Sequence, residues 1–226
     1  MSGYFVTGTD TGVGKTLVAC GLLRAFAGRG QSAVGMKPVA AGCEAGAQGL
    51  RCEDVEQLRA HGTVDAPREL VNPYALTAPI APHIAARREG KEIDIGRIAQ
   101  SYRALERMAE VVIVEGVGGF MVPLDRERDS ADLAALLRLP VILVVGMRLG
   151  CINHALLSAR AVAAMGLELA GWVANRIDPG MDAYQENLEA LGRRLDCPPL
   201  GALPFRQAPD PAAVAGQLRI ERLRPR

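Results

Sequence analysis

The chain has little surplus charge and no long apolar run. Its 226 residues include 26 Lys or Arg and 25 Asp or Glu, a formal net charge of +1. That balance gives no general attraction for a polyanion and argues against nucleic acid as a partner. The strongly apolar stretches, such as residues 141–145, have the length of a strand and are too short to span a membrane. We therefore expect neither a nucleic-acid nor a membrane partner.

Paired cysteine motifs and a charged leader are also missing. The five cysteines show no CxxC spacing, which favours reduced thiols and argues against a zinc site. The N-terminus enters a strand pattern at once, and we expect a cytoplasmic protein. The chain has 226 residues, 49% of them hydrophobic, which is enough for one well-buried core but few for two ordinary domains. One domain over residues 1–226 is the expectation.

Lysine is scarce. Of the 26 basic residues, only Lys15, Lys37 and Lys91 are lysine. Since arginine supplies most of the positive charge, a lysine at a glycine-flanked or strand-end position points to a need for a compact, mobile ammonium. Lys15 and Lys37 occupy such positions and are candidate functional residues.

The strongest motif is the glycine-rich loop of residues 8–16. It follows an apolar segment at residues 4–7 and leads into a helical pattern. Strand, loop and helix in this order predict a phosphate-binding loop, with Lys15 supplying an ammonium and Thr16 a hydroxyl for a metal ion. Thr9 stands where the usual pattern has its first glycine. The alternative is a tight glycine turn before an ordinary helix.

Two further strand patterns carry charged residues at their ends. Residues 33–39 predict a strand with Lys37 near its end, and residues 111–115 predict a buried strand that ends on Glu115 before a run of glycines. In a parallel sheet these ends share the edge that forms the ligand crevice. Lys37 is either a crevice residue or a solvated surface lysine. Glu115 is favoured as a magnesium ligand over a structural turn.

Other polar positions are more ambiguous. Asp54 begins a helical pattern and either binds magnesium or favours the helix N-terminus, and the residues alone favour the second interpretation. The helix that starts near Asn153 has N–H groups suited to a carboxylate, or is an ordinary connection. Asn175 ends a strand and has the hydrogen-bonding pattern for an adenine edge, or forms a turn. Residues 40–50 predict a loop, and the tail from Ala208 is expected to be peripheral.

Strand and helix patterns alternate along the whole chain. This alternation predicts an α/β fold with a mostly parallel sheet flanked by helices on both faces. With the phosphate-binding loop of residues 8–16, the predicted fold resembles that of P-loop NTPases.

Taken together, these motifs resemble the dethiobiotin synthetase family over about residues 4–205. The matching segments are residues 8–16, 37–39, 72–74, 115–119, 149–154 and 171–175. The resemblance implies an ATP-dependent cyclo-ligase of biotin biosynthesis. Such an enzyme carboxylates 7,8-diaminopelargonic acid with CO2 and closes a cyclic urea through a phosphorylated carbamate, releasing ADP and phosphate.

The resemblance also assigns roles to residues. The implied Mg2+ ligands are Thr16, Asp54 and Glu115, and the implied catalytic residues are Lys37, Lys15 and Thr11. The implied nucleotide contacts are Gly12, Val13, Gly14, Lys15, Thr16, Leu17, Asp54, Glu115, Gly116, Val117, Gly118, Asn175, Arg176, Pro204, Phe205 and Arg206. The implied substrate contacts are Lys37, Ala41, Gly150, Cys151, Asn153 and Tyr184.

The family pattern further implies a homodimer, with the substrate carboxylate held by the 150–153 segment of a second subunit. One position departs from the family. Ala41 stands where many members have serine, and the missing hydroxyl removes one hydrogen bond to the substrate diamine.

Two other functions share the same loop. Amide-forming cobyrinic acid synthetases need an ammonia source, and this chain has no room for a glutaminase domain. A P-loop switch ATPase that positions a partner is the alternative from another class. Such proteins typically carry lysine where this chain has Asp10.

Overall fold

A six-stranded parallel sheet forms the centre of the protein. The computed structural model describes residues 2–46 and 49–223. The strand order is β10-β9-β8-β1-β7-β2, and each neighbouring pair is parallel. The strands are β1 Ser2–Gly8, β2 Ala33–Met36, β7 Val111–Glu115, β8 Val141–Met147, β9 Leu169–Arg176 and β10 Pro199–Leu203. The predicted α/β fold with a mostly parallel sheet is therefore confirmed.

Helices cover both faces of this sheet. Their bounds are α1 Lys15–Ala27, α2 Glu53–His61, α3 Arg68–Val71, α4 Pro82–Arg88, α5 Ile95–Glu106, α6 Ser130–Leu137, α7 Cys151–Ala164, α8 Tyr184–Arg194 and α9 Pro211–Ala215, with a 3-10 turn at Ile220–Arg222. Alternate side chains of β1 point to opposite faces, as strand geometry requires. Phe5 packs in the core cluster that contains α5 and α6, while Tyr4 and Val6 pack with α1 and α9.

The region between β2 and α2 differs from the prediction. The strand predicted over residues 33–39 ends at Met36, and a separate strand β3, Val39–Ala41, pairs with β6, Tyr74–Leu76. Pro38 has no N–H to donate, which explains the break. The loop predicted over residues 40–50 also contains the short antiparallel hairpin of β4, Glu44–Gly46, and β5, Gly49–Arg51. Residues 47 and 48 of that predicted loop lie outside the described part of the chain.

Throughout residues 2–46 and 49–223, no helix has the length and apolar character needed to cross a membrane.

The buried side chain of Leu22 offers a test of the packing between α1 and the sheet. Leu22 has no exposed surface. Replacing it with Ala should lower the free energy of unfolding by about 2–5 kcal/mol, because the cavity only partly collapses. The matched control is Leu136→Ala on α6, where the leucine is 45% exposed and the expected change is within about 0.5 kcal/mol. Urea unfolding followed by circular dichroism gives both values, and equal losses would contradict this packing.

Candidate active site

The glycine-rich loop joins the end of β1 to the start of α1. Gly12 and Gly14 adopt φ angles of 75° and 89°, a backbone conformation that favours glycine. Gly14 is the N-cap of α1, and no side chain among the described residues caps this helix. The first N–H groups of α1 therefore remain available for an anion, which is what a phosphate-binding loop requires.

Lys15 lies at the start of α1 and is only 7% exposed. Its Nζ donates a hydrogen bond to the backbone oxygen of Asp10 at 2.9 Å. Burial, followed by the positive charge of Lys37, lowers the pKa of Lys15 to about 8. Two ammonium groups thus share one small volume beside the loop, where the negative charge of a phosphate chain would stabilise both.

Lys37 follows β2 and is buried, with 4% of its surface exposed. Its Nζ lies 2.5 Å from Glu115 Oε1 and 2.9 Å from Asp54 Oδ2. It also donates to the backbone oxygen of Gly116 at 3.2 Å. The surface-lysine interpretation of Lys37 is therefore wrong. We call Thr16, Lys37, Asp54 and Glu115 the Lys37 cluster.

Thr16 completes the Lys37 cluster from the phosphate loop. Its Oγ1 donates to Glu115 Oε1 at 2.8 Å, across 99 positions of sequence. Glu115 ends β7 and is 1% exposed. Asp54, on the first turn of α2, has a side chain that is 40% exposed and reaches Lys37. The carboxylate of Asp54 therefore faces the phosphate loop as well as lying near a helix N-terminus.

The charges in the Lys37 cluster affect one another. Burial would lower the pKa of Lys37, but the adjacent carboxylates of Glu115 and Asp54 raise it above its ordinary value. Burial would raise the pKa of Asp54, but Lys37 holds it below the usual range. At neutral pH the cluster therefore contains an ammonium and an ionised Asp54 carboxylate.

The donor set of the cluster fits Mg2+. Thr16, Asp54 and Glu115 offer a hydroxyl and two carboxylates, the hard oxygen ligands that this ion takes. Glu115 Oε2 is buried and has no hydrogen-bond partner among the described residues, so one carboxylate oxygen is free to bind a cation. No group of three or more His, Cys, Asp or Glu side chains in the described ranges could hold a metal.

A cavity opens beside the phosphate loop. It has a volume of about 320 Å³ and is lined by Gly12, Gly14, Leu17, Asn175, Arg176, Ile177, Leu203, Pro204, Phe205, Arg206, Pro209, Asp210, Ala213, Val214 and Gln217. Asn175 ends near the loop and donates from Nδ2 to the backbone oxygen of Val13 at 2.8 Å. The structure therefore brings the predicted adenine-binding residues to the same side of the loop.

The tail from Ala208 is not peripheral, so this prediction was wrong. Its helix α9 packs against α1 and contributes the buried Val214, and the tail also lines the cavity beside Asn175. A helix start was readable in the sequence at Asp210-Pro211. Asp210 caps α9 by accepting from the N–H of Ala212, and Pro211 takes the first helical position.

Apart from Lys37, which lies in the Lys37 cluster, the predicted substrate residues divide into three places. Gly150, with φ of 92°, caps α7, Cys151 is buried and Asn153 is exposed on its first turn. Ala41 ends β3. Tyr184 begins α8, and its ring lies 4.9 Å from the guanidinium carbon of Arg176. Tyr184 thus contacts Arg176, a residue for which the family resemblance implies a nucleotide contact.

The 148–153 segment is tied to the phosphate loop by an ion pair. Arg148 donates from its guanidinium to Asp10 Oδ2 at 2.5 Å. Thr11 follows Asp10, and its hydroxyl lies beside Gly118, on the glycine run after β7. The loops after β1, β7 and β8 are therefore neighbours at the same edge of the sheet.

Solved structures with a similar fold support the class of protein. The MinD cell division protein of Aquifex aeolicus superposes with a TM-score of 0.58 at 14% identity, over 98% of this chain and 89% of that one. The cell division protein FtsY of Thermotoga maritima has a TM-score of 0.52 at 20% identity, over 95% of this chain and 67% of that one. At these identities the likeness concerns the fold alone. Together with the loop geometry, it defines an α/β protein with the P-loop NTPase fold.

Sequence relatives specify the family within that class. A family model described as an AAA domain matches residues 2–213. The ATP-dependent dethiobiotin synthetase of Nitrosospira multiformis is 58% identical over 221 residues, 98% of this chain and 96% of the relative. The synthetase of Xanthomonas oryzae pv. oryzae is 49% identical over 219 residues, 97% of this chain and 98% of the relative. The chain belongs to the ATP-dependent dethiobiotin synthetase family.

The close approach of Gly14 to Asn175 generates a prediction for nucleotide binding. A Cβ at Gly14 would collide with Asn175 Nδ2, and the positive φ adds strain. We expect Gly14→Ala to raise the ATP dissociation constant at least about tenfold, a loss of about 1.4 kcal/mol, measured by isothermal titration calorimetry.

The control for this variant is Gly30→Ala, which has a φ of 79° and open space around the new Cβ. Both variants should lose about 1–2 kcal/mol of unfolding free energy to backbone strain. Only Gly14→Ala should weaken ATP binding, and unchanged binding in both would contradict the proximity of Asn175 to the nucleotide.

Proposed function

We propose that this protein is an ATP-dependent dethiobiotin synthetase, a carbon–nitrogen ligase of biotin biosynthesis. Its substrates are 7,8-diaminopelargonic acid, CO2 and ATP, and its products are dethiobiotin, ADP and phosphate. Membership of the synthetase family supports this activity. The observation that carries the proposal is the Lys37 cluster, which places a buried ammonium beside the phosphate loop.

The reaction needs no protein nucleophile. One substrate amine attacks CO2 and loses a proton, giving a carbamate. A carbamate oxygen then attacks the γ-phosphorus of ATP, and ADP leaves. The second amine attacks the carbamoyl carbon, the bond to the phosphate oxygen breaks, and the cyclic urea closes with release of phosphate and a proton. The protein therefore acts by positioning these groups and stabilising their charge.

Three side chains are proposed to act on the reacting groups. Lys37 stabilises the carbamate and the phosphoryl group that moves onto it. Lys15 stabilises the negative charge on the β- and γ-phosphates, and Thr11 donates a hydrogen bond to substrate or phosphate. Support comes from the burial of both ammonium groups, since a charge in a site that excludes water acts more strongly than one in bulk water.

Mg2+ is proposed to bind Thr16, Asp54 and Glu115. Bound there, it would neutralise charge on the β- and γ-phosphates of ATP. The three donors come from α1, α2 and β7, and the contacts of Lys37 and Thr16 hold the two carboxylates in place without a metal.

The cavity beside Asn175 is proposed to hold adenine. Asn175 has donor and acceptor groups on one amide, and Phe205 is 40% exposed at the same cavity, where an aromatic ring can pack against a base. The backbone of residues 12–17 and 116–118 would then contact the phosphates and ribose, with Arg176 and residues 204–206 enclosing the base.

A homodimer is proposed to complete the substrate site. Gly150, Cys151 and Asn153 open α7, where N–H groups suit the substrate carboxylate. On the loop before α7 and on α7 itself, Leu149 is 94% exposed and Leu157 is 56% exposed. A second subunit would cover them. We further propose that residues 1–226 act as one domain, in the cytoplasm.

The test of this function is phosphate release from Mg-ATP, with diamine and bicarbonate present together or withheld singly. The wild type should release phosphate only with all components and should yield a cyclic urea. Lys37→Ala should lower kcat by about 100- to 1,000-fold, as expected for loss of a group that stabilises transition-state charge. ATP turnover that does not need the diamine would contradict the synthetase and favour a switch ATPase.

The control is Lys91→Ala, since Lys91 is also a lysine in an ion pair but lies on the surface beside Glu89. It should keep wild-type kcat. Removing Lys37 also leaves a buried Glu115 unpaired, which is destabilising. Melting temperature and ATP binding of Lys37→Ala are therefore measured alongside, and Lys37→Arg supplies a variant that keeps the charge but not the compact ammonium.

The proposed metal site generates a separate prediction. Asp54→Asn removes a charged ligand and should raise the Mg2+ concentration needed for half-maximal rate by at least about tenfold. The control is Asp65→Asn, a surface carboxylate that pairs with Arg59 and has a side chain 94% exposed. A titration of rate against Mg2+ at fixed ATP measures both. Identical curves for wild type and Asp54→Asn would remove Asp54 from the metal site.

A further inference from the structure

Cys43 and Cys52 flank the β4–β5 hairpin. The antiparallel register pairs Glu44 with Arg51, Ala45 with Leu50 and Gly46 with Gly49. Continued by one position, the same register sets Cys43 opposite Cys52. The two cysteines therefore close the open end of the hairpin, where one strand arrives from β3 and the other leaves for α2.

The thiol groups of this pair are neighbours. The side chains of Cys43 and Cys52 lie close enough to interact. Residues opposite one another in an antiparallel pair have Cα atoms about 4.5 or 5.5 Å apart, and both values lie in the range of about 4.4–6.8 Å that a disulfide needs. All five cysteines are free in the structure. Thiols at opposed positions with this spacing can be joined by a small local movement of the backbone.

The two thiols differ in access. Cys43 is only 4% exposed. Its backbone N–H donates a hydrogen bond to Leu76 O at 2.9 Å, and its thiol donates one to Ala40 O. Cys52 is half-buried and is the N-cap of α2. A small oxidant can therefore reach Cys52 first, and Cys43 is then the fixed second thiol.

We propose that Cys43 and Cys52 form a redox-modification site, at which a low-molecular-weight disulfide converts the two thiols into an intramolecular disulfide. Cys52 loses its proton and attacks one sulfur of the small disulfide, giving a mixed disulfide and releasing one small thiol. Cys43 loses its proton and attacks the Cys52 sulfur, releasing the second small thiol. Two protein thiols are oxidised and one small disulfide is reduced to two thiols, so electrons and protons balance.

The new bond would act on the Lys37 cluster. Cys52 lies two residues before Asp54, whose Oδ2 contacts Lys37 Nζ at 2.9 Å. The two sulfurs must approach to about 2.0 Å to form a disulfide. Because Cys43 is anchored on β3 and β6, the movement falls on Cys52 and the start of α2. Misplacement of a group in the site by about 1 Å can cost up to 100-fold in rate.

The test oxidises the full-length, reduced protein with oxidised glutathione. The wild type should lose two of its five free thiols. Peptide mass mapping should find a Cys43–Cys52 bridge, and dithiothreitol should restore both thiols. Loss of no thiol, or a bridge between other cysteines, would overturn the proposal.

Single variants test the order of attack. Cys43→Ser should accumulate a glutathione adduct on Cys52, because no second thiol resolves it. Cys52→Ser should gain no adduct on the buried Cys43. The matched control is Cys197→Ser, which removes a half-buried thiol on the connection between α8 and β10 and should still form the bridge. An adduct on Cys43 but not on Cys52 would contradict the proposed roles.

The effect of the disulfide on the Lys37 cluster is tested by measuring synthetase activity. This part of the test rests on the proposed function. The oxidised wild type should lose synthetase activity at least about tenfold and regain it with dithiothreitol, while oxidised Cys43→Ser,Cys52→Ser should be unaffected. A bridge that forms without changing the rate would overturn the link to Asp54. If the reduced enzyme shows no synthetase activity, the proposed function fails, and the thiol count still decides the modification site.

Discussion

The structure depends on the burial of one positive charge. An ammonium group removed from water is costly unless it is paired, and the side chain of Lys37 is paired with carboxylates from two other elements. Glu115 comes from β7 and Asp54 from α2, while Thr16 of α1 also donates to Glu115. The phosphate loop, the strand ends and α2 thus share one set of contacts. These contacts set their positions relative to one another.

The order of the sheet makes this arrangement possible. β7 lies between β1 and β2, so the phosphate loop after β1 and Lys37 after β2 are both one strand away from Glu115. All three strands are parallel and end at the same edge. Residues separated by tens of positions in sequence therefore meet without any long connection crossing the site. The β8 and β9 ends extend the same edge towards the cavity beside Asn175.

Features formed by residues that are close together in the chain could be predicted from the sequence, and features that depend on distant residues could not. The phosphate loop, the sheet strands and Glu115 were readable because a buried run followed by glycines is a local signal. The contact of Asp54 with Lys37 could not be predicted, because an acidic residue in a first helical turn is favourable whatever it faces. The hairpin strands have three residues each, too few to show a period. The tail helix α9 was missed because its burial depends on α1, almost 200 residues earlier in the chain.

Lysine is scarce in this chain, and its use at position 37 has a geometric reason. An ammonium group has three donors, and Lys37 has three acceptors in Glu115 Oε1, Asp54 Oδ2 and Gly116 O. A guanidinium is planar and presents its donors as a fork, which does not match acceptors arranged around a point. Of the two carboxylates, Asp54 is the more exposed, with 40% of its side chain accessible against 1% for Glu115. An incoming anionic oxygen can therefore replace the contact to Asp54 while the one to Glu115 stays buried.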